Sequence, residues 1–537
     1  MSETDKYDVL ITGGRIVDGS GGPSYQADIA VRGDRIAAIG SLDAASASLR
    51  IDASGLVVSP GFIDIHTHSD LTVLVNPHMQ SSVLQGVTTE VMGNCGLSVG
   101  LSQNTPEFGL ERRFARLTEG ITWSGMGSFL DAVEKNGVAV NVLCLAGHNT
   151  IRKRALGMDV RKPAPAEMSI MKALLKEALD EGAVGLSTGL EYPPGRYAST
   201  EEIVELAEVA GEAGGIYTSH LRNEADGLVD SVAEALTIGE RAHIPVQLSH
   251  HKAEGPANWG RVRETLAMVD AALDRGQDVT LDQYPYTAFM TGLSIPILPS
   301  WALGGSEAEI RSRLVQPESR ARLLAHLKGL HMDWRLVRIA IARNHREYQG
   351  HTIQDLASTW AITPEDAVLV VLEGERGFVA ATYVMMSEDD VQYVMKYSHT
   401  FIASDAASTA AEGPLVEDQP HPRTFGTFPR VLGHYVRELG ILSLETAIAK
   451  MTSMPARRLA LADRGQIGIG FKADLVIFDP NTILDLAGDL NPRGAPVGIH
   501  SVIVNGERIV YSGKITGALP GQIVRGTPGK RAHAPAP

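Results

Sequence analysis

Eight short apolar segments in the middle of the chain each end in polar side chains, and helix-like segments such as residues 167–181, 201–213 and 227–242 separate them. The polar ends are His66-Thr67-His68, Asn94-Cys95-Gly96, Gly147-His148-Asn149, Gly189-Leu190-Glu191, Ser219-His220, Ser249-His250-His251, Asp282-Gln283-Tyr284 and Ser404-Asp405. Alternation of strands with helices is typical of βα units and a parallel sheet. Eight such units predict an α/β fold, a (β/α)₈ TIM-like barrel whose active site lies at the carboxyl ends of its strands.

The two ends of the chain differ from this middle. Residues 1–60 and 463–537 contain short apolar runs separated by Gly and Asp, a pattern typical of hairpins. They predict a small β-sandwich built from both chain ends, beside a barrel domain over residues 61–462. The segment from about residue 289 to 394 is too long for one βα connection. Its length predicts an insertion over the barrel mouth. The segment 526–537, rich in Pro, Ala and basic residues, is predicted to be disordered.

Composition excludes several classes of partner and scaffold. Lys and Arg number 48 and Asp and Glu number 63, and the net charge of −15 argues against nucleic-acid and anionic-membrane partners. The two cysteines, Cys95 and Cys144, exclude a disulfide scaffold and indicate a reducing compartment. The N-terminal residues lack the features of a signal peptide, and no apolar run has membrane-spanning length. We therefore expect a cytoplasmic protein with a small-molecule substrate, of unknown oligomeric state.

Four histidines mark three of the predicted strand ends. His66 and His68 stand at positions i and i+2, so their side chains point to the same side of a strand. His220 and His250 are 30 residues apart, the length of one βα unit, and would lie on neighbouring strands. For any one histidine, a hydrogen-bonded residue at a strand end is the stronger interpretation. The four together favour a metal site, and imidazole ligands suit zinc.

Cys95 and Asp405 add a thiol and a carboxylate to the same predicted edge. Most free cysteines are small buried hydrophobes, and Cys144, inside an apolar run, is predicted to be one. Cys95 lies instead between glycines at a strand end, which favours a thiolate ligand. Asp405, facing metal-bound histidines, is a candidate general base for a water molecule that the metal acidifies. By itself it would be interpreted as an N-cap for the residues that follow.

These residues together resemble a known family. The segment Gly61-Phe62-Ile63-Asp64-Ile65-His66-Thr67-His68 resembles the metal motif of the amidohydrolase superfamily. Cys95, His220, His250 and Asp405, in their local sequences, resemble the N-acyl-D-amino-acid deacylase (D-aminoacylase) family over nearly the whole chain. The cysteine in place of a bridging carboxylated lysine separates that family from hydantoinases and dihydroorotases.

The resemblance implies one tightly bound zinc ion (Zn²⁺) and a second metal position that the family fills weakly or leaves empty. It assigns Cys95, His220 and His250 to the first position, and His66, His68 and Asp405 to the second. It assigns substrate binding to Lys252, Tyr192, Tyr284 and Arg376. A structural role is an equal alternative for these four; for Lys252 it is a salt bridge to an acid such as Glu254. Arg222 is a further candidate, unless it pairs with an acid such as Glu224.

The predicted function is zinc-dependent hydrolysis of N-acyl-D-amino acids to a carboxylate and a free D-amino acid, with Asp405 transferring the proton. Two alternatives stay open: another cyclic-amide or dipeptide hydrolase of the same superfamily, and a non-catalytic metal-binding scaffold. The presence of an acid opposite the metal histidines favours an enzyme. The preferred D-side chain, the acyl group and the number of zinc ions are left open.

Overall fold

The computed structural model describes residues 6–42, 44–102, 117–377, 379–416, 419–488 and 491–526. Its centre is a ring of parallel strands. In chain order these are Phe62–Asp64, Val87–Met92, Asn141–Cys144 with its continuation Ala146–Gly147, Gly185–Gly189, Ile216–His220, Val246–Leu248, Val279–Gln283 and Thr400–Ile402. All neighbouring pairs among them run parallel. The predicted eight-stranded barrel is therefore confirmed, and each predicted polar cluster lies at or just after the end of its strand.

The last strand returns to the first, and this contact assembles part of the site. The backbone N–H of Asp405 donates to His66 O at 2.9 Å, and the N–H of His68 donates to Ala406 O at 2.9 Å. The barrel strands are buried on both faces; every residue of Val87–Met92 is buried, for example. Burial of this kind is typical of parallel strands that are covered by helices.

Helices connect the strands and cover the barrel. They are Thr72–Val75, Gln80–Val83, Met126–Asn136, His148–Leu156, Pro165–Asp180, Thr200–Glu212, Leu228–Ala242, Val262–Asp274, Glu388–Lys396, Arg423–Arg430, Leu444–Met451 and Ser453–Arg458, with a π-helical turn at Val431–Glu438. Their apolar faces join the strands in one large core. Within the described residues, no helix has both the length and the apolar character that crossing a membrane requires.

Strands from both chain ends form one continuous nine-stranded sheet. Its members are Lys6–Ile16, Tyr25–Arg32, Arg35–Gly40, Ser46–Asp52, Val57–Pro60, Leu475–Phe478, Ile499–Val504, Glu507–Tyr511 and Lys514–Ile515. The antiparallel pair Val57–Pro60 and Leu475–Phe478 joins the two ends. The predicted union of both ends in one β-structure is thus observed, while the domain limits remain a prediction. The predicted disordered segment, apart from its first residue, lies outside the described residues.

The insertion between the seventh and eighth barrel strands has its own core. A three-stranded antiparallel sheet, Ala288–Gly292, Val337–Ile341 and Ala380–Val384, packs with helices. These helices are Ser300–Leu303, Glu307–Val315, Pro317–Gly329, Ile353–Trp360 and Pro364–Gly374. The following helix, Glu388–Lys396, packs into the barrel core instead. Apolar residues of the insertion line one side of the cavity at the carboxyl ends of the barrel strands.

Candidate metal centre

Three of the predicted metal ligands have a left-handed backbone. The φ angles are +51° at Cys95, +35° at His250 and +50° at Asp405. Positive φ is uncommon for residues other than glycine and is found preferentially where a side chain is held for function. At each of these strand ends the chain turns sharply, which directs the side chain into the barrel mouth.

The donor atoms of four residues converge at the mouth. His66 Nε2 lies 3.2 Å from Cys95 Sγ and 3.4 Å from Asp405 Oδ1. His250 Nε2 lies 3.6 Å from Cys95 Sγ. One donor atom from each of His66, Cys95, His250 and Asp405 lies within 4.8 Å of the other three. A buried set of sulfur, nitrogen and oxygen donors at this spacing fits a transition-metal ion.

His220 and His68 extend the cluster, each through a different member of it. His220 Nδ1 lies 2.7 Å from His250 Nε2, so both imidazoles direct a nitrogen to the same point. His68 Nε2 lies 2.9 Å from Asp405 Oδ1. The structure thus brings together all six residues predicted to bind metal. Their assignment to individual metal positions stays a prediction.

The Cys95 thiol is in a setting that favours its thiolate form. Burial raises the pKa of Cys95, but the charge of His66 and hydrogen bonds with His220 and His250 together lower it by more, so the pKa lies well below its usual range. Because the thiolate is the form that binds metal, this setting suits a ligand. Cys144 lies in a barrel strand and is buried in the apolar core, as predicted.

Asp405 is buried and paired with a cation that the sequence analysis did not identify. Arg423 Nη1 lies 2.7 Å from Asp405 Oδ2. Burial raises the pKa of the Asp405 carboxyl, but Arg423 and His66 lower it, and the pKa lies well below its usual range. Asp405 is therefore ionised at neutral pH and can accept a proton.

Three further carboxylates orient the histidines from behind. His66 Nδ1 donates to Asp282 at 3.0 Å, His220 Nε2 to Glu191 at 3.1 Å, and His250 Nδ1 to Glu224 at 3.1 Å. Sequence reasoning gave none of these acids a role beside a histidine. Glu191 and Asp282 could have been identified from the sequence, because they lie at or just after strand ends. Glu224 lies in a loop and has no such signal.

Part of the metal cluster lines a cavity of about 440 Å³. His68, Cys95, Asp405 and Arg423 form its floor, and the insertion supplies an apolar wall. That wall includes Met290, Ile295, Leu298, Ile310 and Leu314. A volume of this size falls in the range of about 300–1,000 Å³ that is typical of small-molecule sites.

The four predicted substrate-binding residues line two cavities. Tyr192 and Arg376 line the main cavity; the Tyr192 ring lies 4.5 Å from the His220 ring, and Arg376 is exposed. Lys252 and Tyr284 are buried and line a smaller cavity beside His250.

The Tyr284 ring lies between two cations. Arg423 Cζ is 4.7 Å from the centre of the ring, and Lys252 Nζ is 6.0 Å from it. The sequence predicted Lys252 and Tyr284 but not Arg423, which follows Asp405 by 18 residues and ends no strand.

The two ion pairs that the sequence suggested have different outcomes in the structure. Lys252 Nζ pairs with Glu254 at 3.7 Å, as suggested, and also makes a closer contact with the Glu224 carboxylate. Arg222 pairs with Glu234 at 2.8 Å and not with Glu224. The difference arises because Glu224 turns inward, toward His250, and Glu234 lies on the adjacent helix.

The sequence and the structure are similar to those of characterised proteins. The amidohydrolase family model matches residues 50–367 and 413–510. The chain is 39% identical to a D-aminoacylase of Alcaligenes xylosoxydans xylosoxydans, over 98% of this chain and 99% of that protein. It is 37% identical to an N-acyl-D-glutamate deacylase of the same organism, over 97% of each chain.

A similar solved structure is that of an N-acyl-D-glutamate deacylase from Bordetella bronchiseptica. It has a TM-score of 0.83 and 37% identity, and the match covers 97% of this chain and 100% of that one. That protein was crystallised with zinc and a phosphonate inhibitor, a mimic of the tetrahedral intermediate of its reaction. The similarity therefore extends over both the sheet made from the chain ends and the barrel with its insertion.

Proposed function

The chain belongs to the amidohydrolase family, and we propose that it is a zinc-dependent hydrolase of N-acyl-D-amino acids that releases a carboxylate and a free D-amino acid. The observation that carries the proposal is the convergence of the donor atoms of Cys95, His66, His250 and Asp405 at a cavity that Cys95 and Asp405 line. Full-length similarity to a D-aminoacylase and to N-acyl-D-glutamate and N-acyl-D-aspartate deacylases supports it.

The donor set fits zinc. Cys95, His220 and His250 would hold the tightly bound ion, and the second position would be formed by His66, His68 and Asp405. Thiolate and imidazole ligands suit zinc and disfavour magnesium or calcium, which prefer oxygen. When bound, zinc supplies Lewis acidity, which acidifies a water molecule and polarises a carbonyl oxygen.

Asp405 moves the proton in this scheme. Its carboxylate is ionised and lies on the cavity floor, so it can accept the proton of the attacking water. It then delivers that proton to the amide nitrogen, because an amide anion is too basic to leave unprotonated. Arg423, 2.7 Å away, fixes the carboxylate in one orientation.

The substrate carboxylate would bind among Lys252, Tyr284 and Arg423. The Tyr284 hydroxyl and Arg423 Nε are both buried and have no hydrogen-bond partner within the described part of the chain. Buried donors without a partner are costly, and an anion between the two cations would satisfy them. A carboxylate held here, an acyl group in the cavity and the metal give three fixed points, enough to select one enantiomer. Tyr192 and Arg376 remain proposed contacts in the main cavity.

Substrate preference tests the proposal directly. We expect the purified protein to contain zinc and to hydrolyse N-acetyl-D-methionine much faster than its L-enantiomer. Removal of zinc with a chelator should abolish the activity, and added zinc should restore it. Hydrolysis of cyclic amides or dipeptides in preference to every N-acetyl-D-amino acid would contradict the proposal, as would zinc binding without turnover of any amide.

Replacing Lys252 with methionine tests the carboxylate site. The change removes the charge and keeps much of the aliphatic stem, and a charge-assisted hydrogen bond contributes about 1.5–3 kcal/mol. We expect kcat/KM for N-acetyl-D-methionine to fall about ten- to a hundredfold more than kcat/KM for its carboxamide. The comparison cancels any general loss of stability. Lys172→Met, at a surface lysine that pairs with Glu205, is the control. Equal losses on both substrates would mean that Lys252 has only a structural role.

A further inference from the structure

We infer that Glu224 is a positioning residue that orients the metal ligand His250 and at the same time holds Lys252 at the carboxylate site. The inference rests on the proposed function for the role of Lys252, but not for the role of His250. Glu224 is 2% exposed. One of its oxygens lies 3.1 Å from His250 Nδ1, and the other accepts a hydrogen bond from Lys252 Nζ.

The first contact selects the tautomer of His250. Its Nε2 faces Cys95 Sγ at 3.6 Å and His220 Nδ1 at 2.7 Å, so Nε2 is the nitrogen directed at the metal position. Nδ1 must then carry the proton, and an ionised carboxylate accepts it. A carboxylate behind a ligating histidine fixes the ring and makes it a stronger ligand, which is worth about 10–100-fold in metal affinity.

The second contact resolves a conflict between neighbours. Lys252 Nζ lies 3.1 Å from His250 Nδ1. When Nδ1 carries a proton, both groups are donors and cannot bond to each other. A carboxylate that accepts from both removes the conflict and balances the lysine charge. Glu224 therefore makes the ligand form of His250 compatible with a cation only two residues away.

The backbone around Glu224 holds the carboxylate in place. Its carbonyl accepts a hydrogen bond from Glu254 N at 2.8 Å. The preceding residue, Asn223, accepts hydrogen bonds from Ala225 N at 3.0 Å and Gly227 N at 2.8 Å through its side chain. Side-chain bonds of this type fix a turn, so they hold the loop in the conformation in which Glu224 contacts His250 and Lys252.

The test compares zinc affinity in two matched variants. Glu224→Gln keeps the shape but has one acceptor oxygen and no charge, and we expect zinc affinity, measured by competition with a chromophoric chelator, to fall about 10–100-fold. Glu202→Gln is the control, because Glu202 is equally buried and accepts from His148 at 2.9 Å and Arg152 at 3.0 Å, outside the metal cluster. We expect the control to lose stability and keep the zinc affinity of the parent. Parent-like affinity in Glu224→Gln, or an equal loss in Glu202→Gln, would overturn the inference.

A double variant separates orientation of His250 from neutralisation of Lys252, and it is also the fallback if Glu224→Gln folds poorly. Glu224→Gln with Lys252→Met removes both buried charges. If Glu224 orients His250, zinc affinity stays low in the double variant; if it only balances Lys252, affinity returns to the parent value and the inference fails. The zinc measurement needs no substrate, so it holds even if the parent hydrolyses no N-acyl-D-amino acid, an outcome that would refute the proposed function alone.

Discussion

Replacing Asp405 with asparagine should leave zinc bound and lower kcat for an N-acetyl-D-amino acid by about 10²-fold or more, the usual scale for loss of general acid–base catalysis. Asparagine has nearly the same shape, but its amide cannot take a proton at neutral pH. The Cys95, His220 and His250 donors are untouched by the change, so the metal content should stay near that of the parent. Metal analysis beside steady-state kinetics measures both quantities.

A buried aspartate away from the cavity provides the control for this variant. Asp28, in the sheet made from the chain ends, is 8% exposed, like Asp405, and accepts hydrogen bonds from Gly13 N and Leu42 N at 2.9 Å each. Asp28→Asn should have turnover close to that of the parent, because only structural contacts are weakened. Turnover of Asp405→Asn within a few-fold of the parent would refute the role assigned to Asp405.

Cys95→Ala should lose zinc and activity together. The change removes the one sulfur donor of the cluster. It adds no backbone strain, because alanine and cysteine are equally constrained at the φ of +51° found there. We expect the variant to purify with little zinc and to show near-background turnover, with partial recovery only at high added zinc. Elemental analysis and an activity titration with zinc measure the effect.

The second cysteine makes this experiment well controlled. Cys144 is buried in the apolar core, on a strand next to the one that Cys95 follows. Cys144→Ala should cost some stability, because it leaves a small cavity, and should keep the full zinc content. Full zinc occupancy with near-normal turnover in Cys95→Ala would mean that Cys95 is only a core residue.

Much of the site was predictable because its signals are local. His66 and His68 point the same way because strand side chains alternate with a period of two. His220 and His250 end successive βα units, and a barrel brings the ends of all its strands to one mouth. Cys95 and Asp405 were identified by the same rule, since each follows directly after a strand. No distance had to be known to place these six residues together.

The residues that the sequence did not reveal lie in loops or contact one another across the barrel. Arg423 reaches Asp405 from the start of a helix 18 residues further along, and Glu224 turns inward to His250 and Lys252 from a loop. The sequence suggested Glu224 for Arg222 and Glu254 for Lys252, the nearest acids along the chain. In the structure Arg222 pairs with Glu234 instead, whereas Lys252 pairs with Glu254 and, more closely, with Glu224.

The sequence by itself therefore determined the barrel, the joined chain ends and the set of metal-binding candidates, because strand period and βα alternation are properties of short segments. Only the tertiary structure decided which acid faces which histidine, and which cations surround Tyr284. Those pairings depend on the paths of irregular loops and on the positive φ angles at Cys95, His250 and Asp405. A loop direction is fixed by packing against residues distant in the chain, and no local periodicity records it.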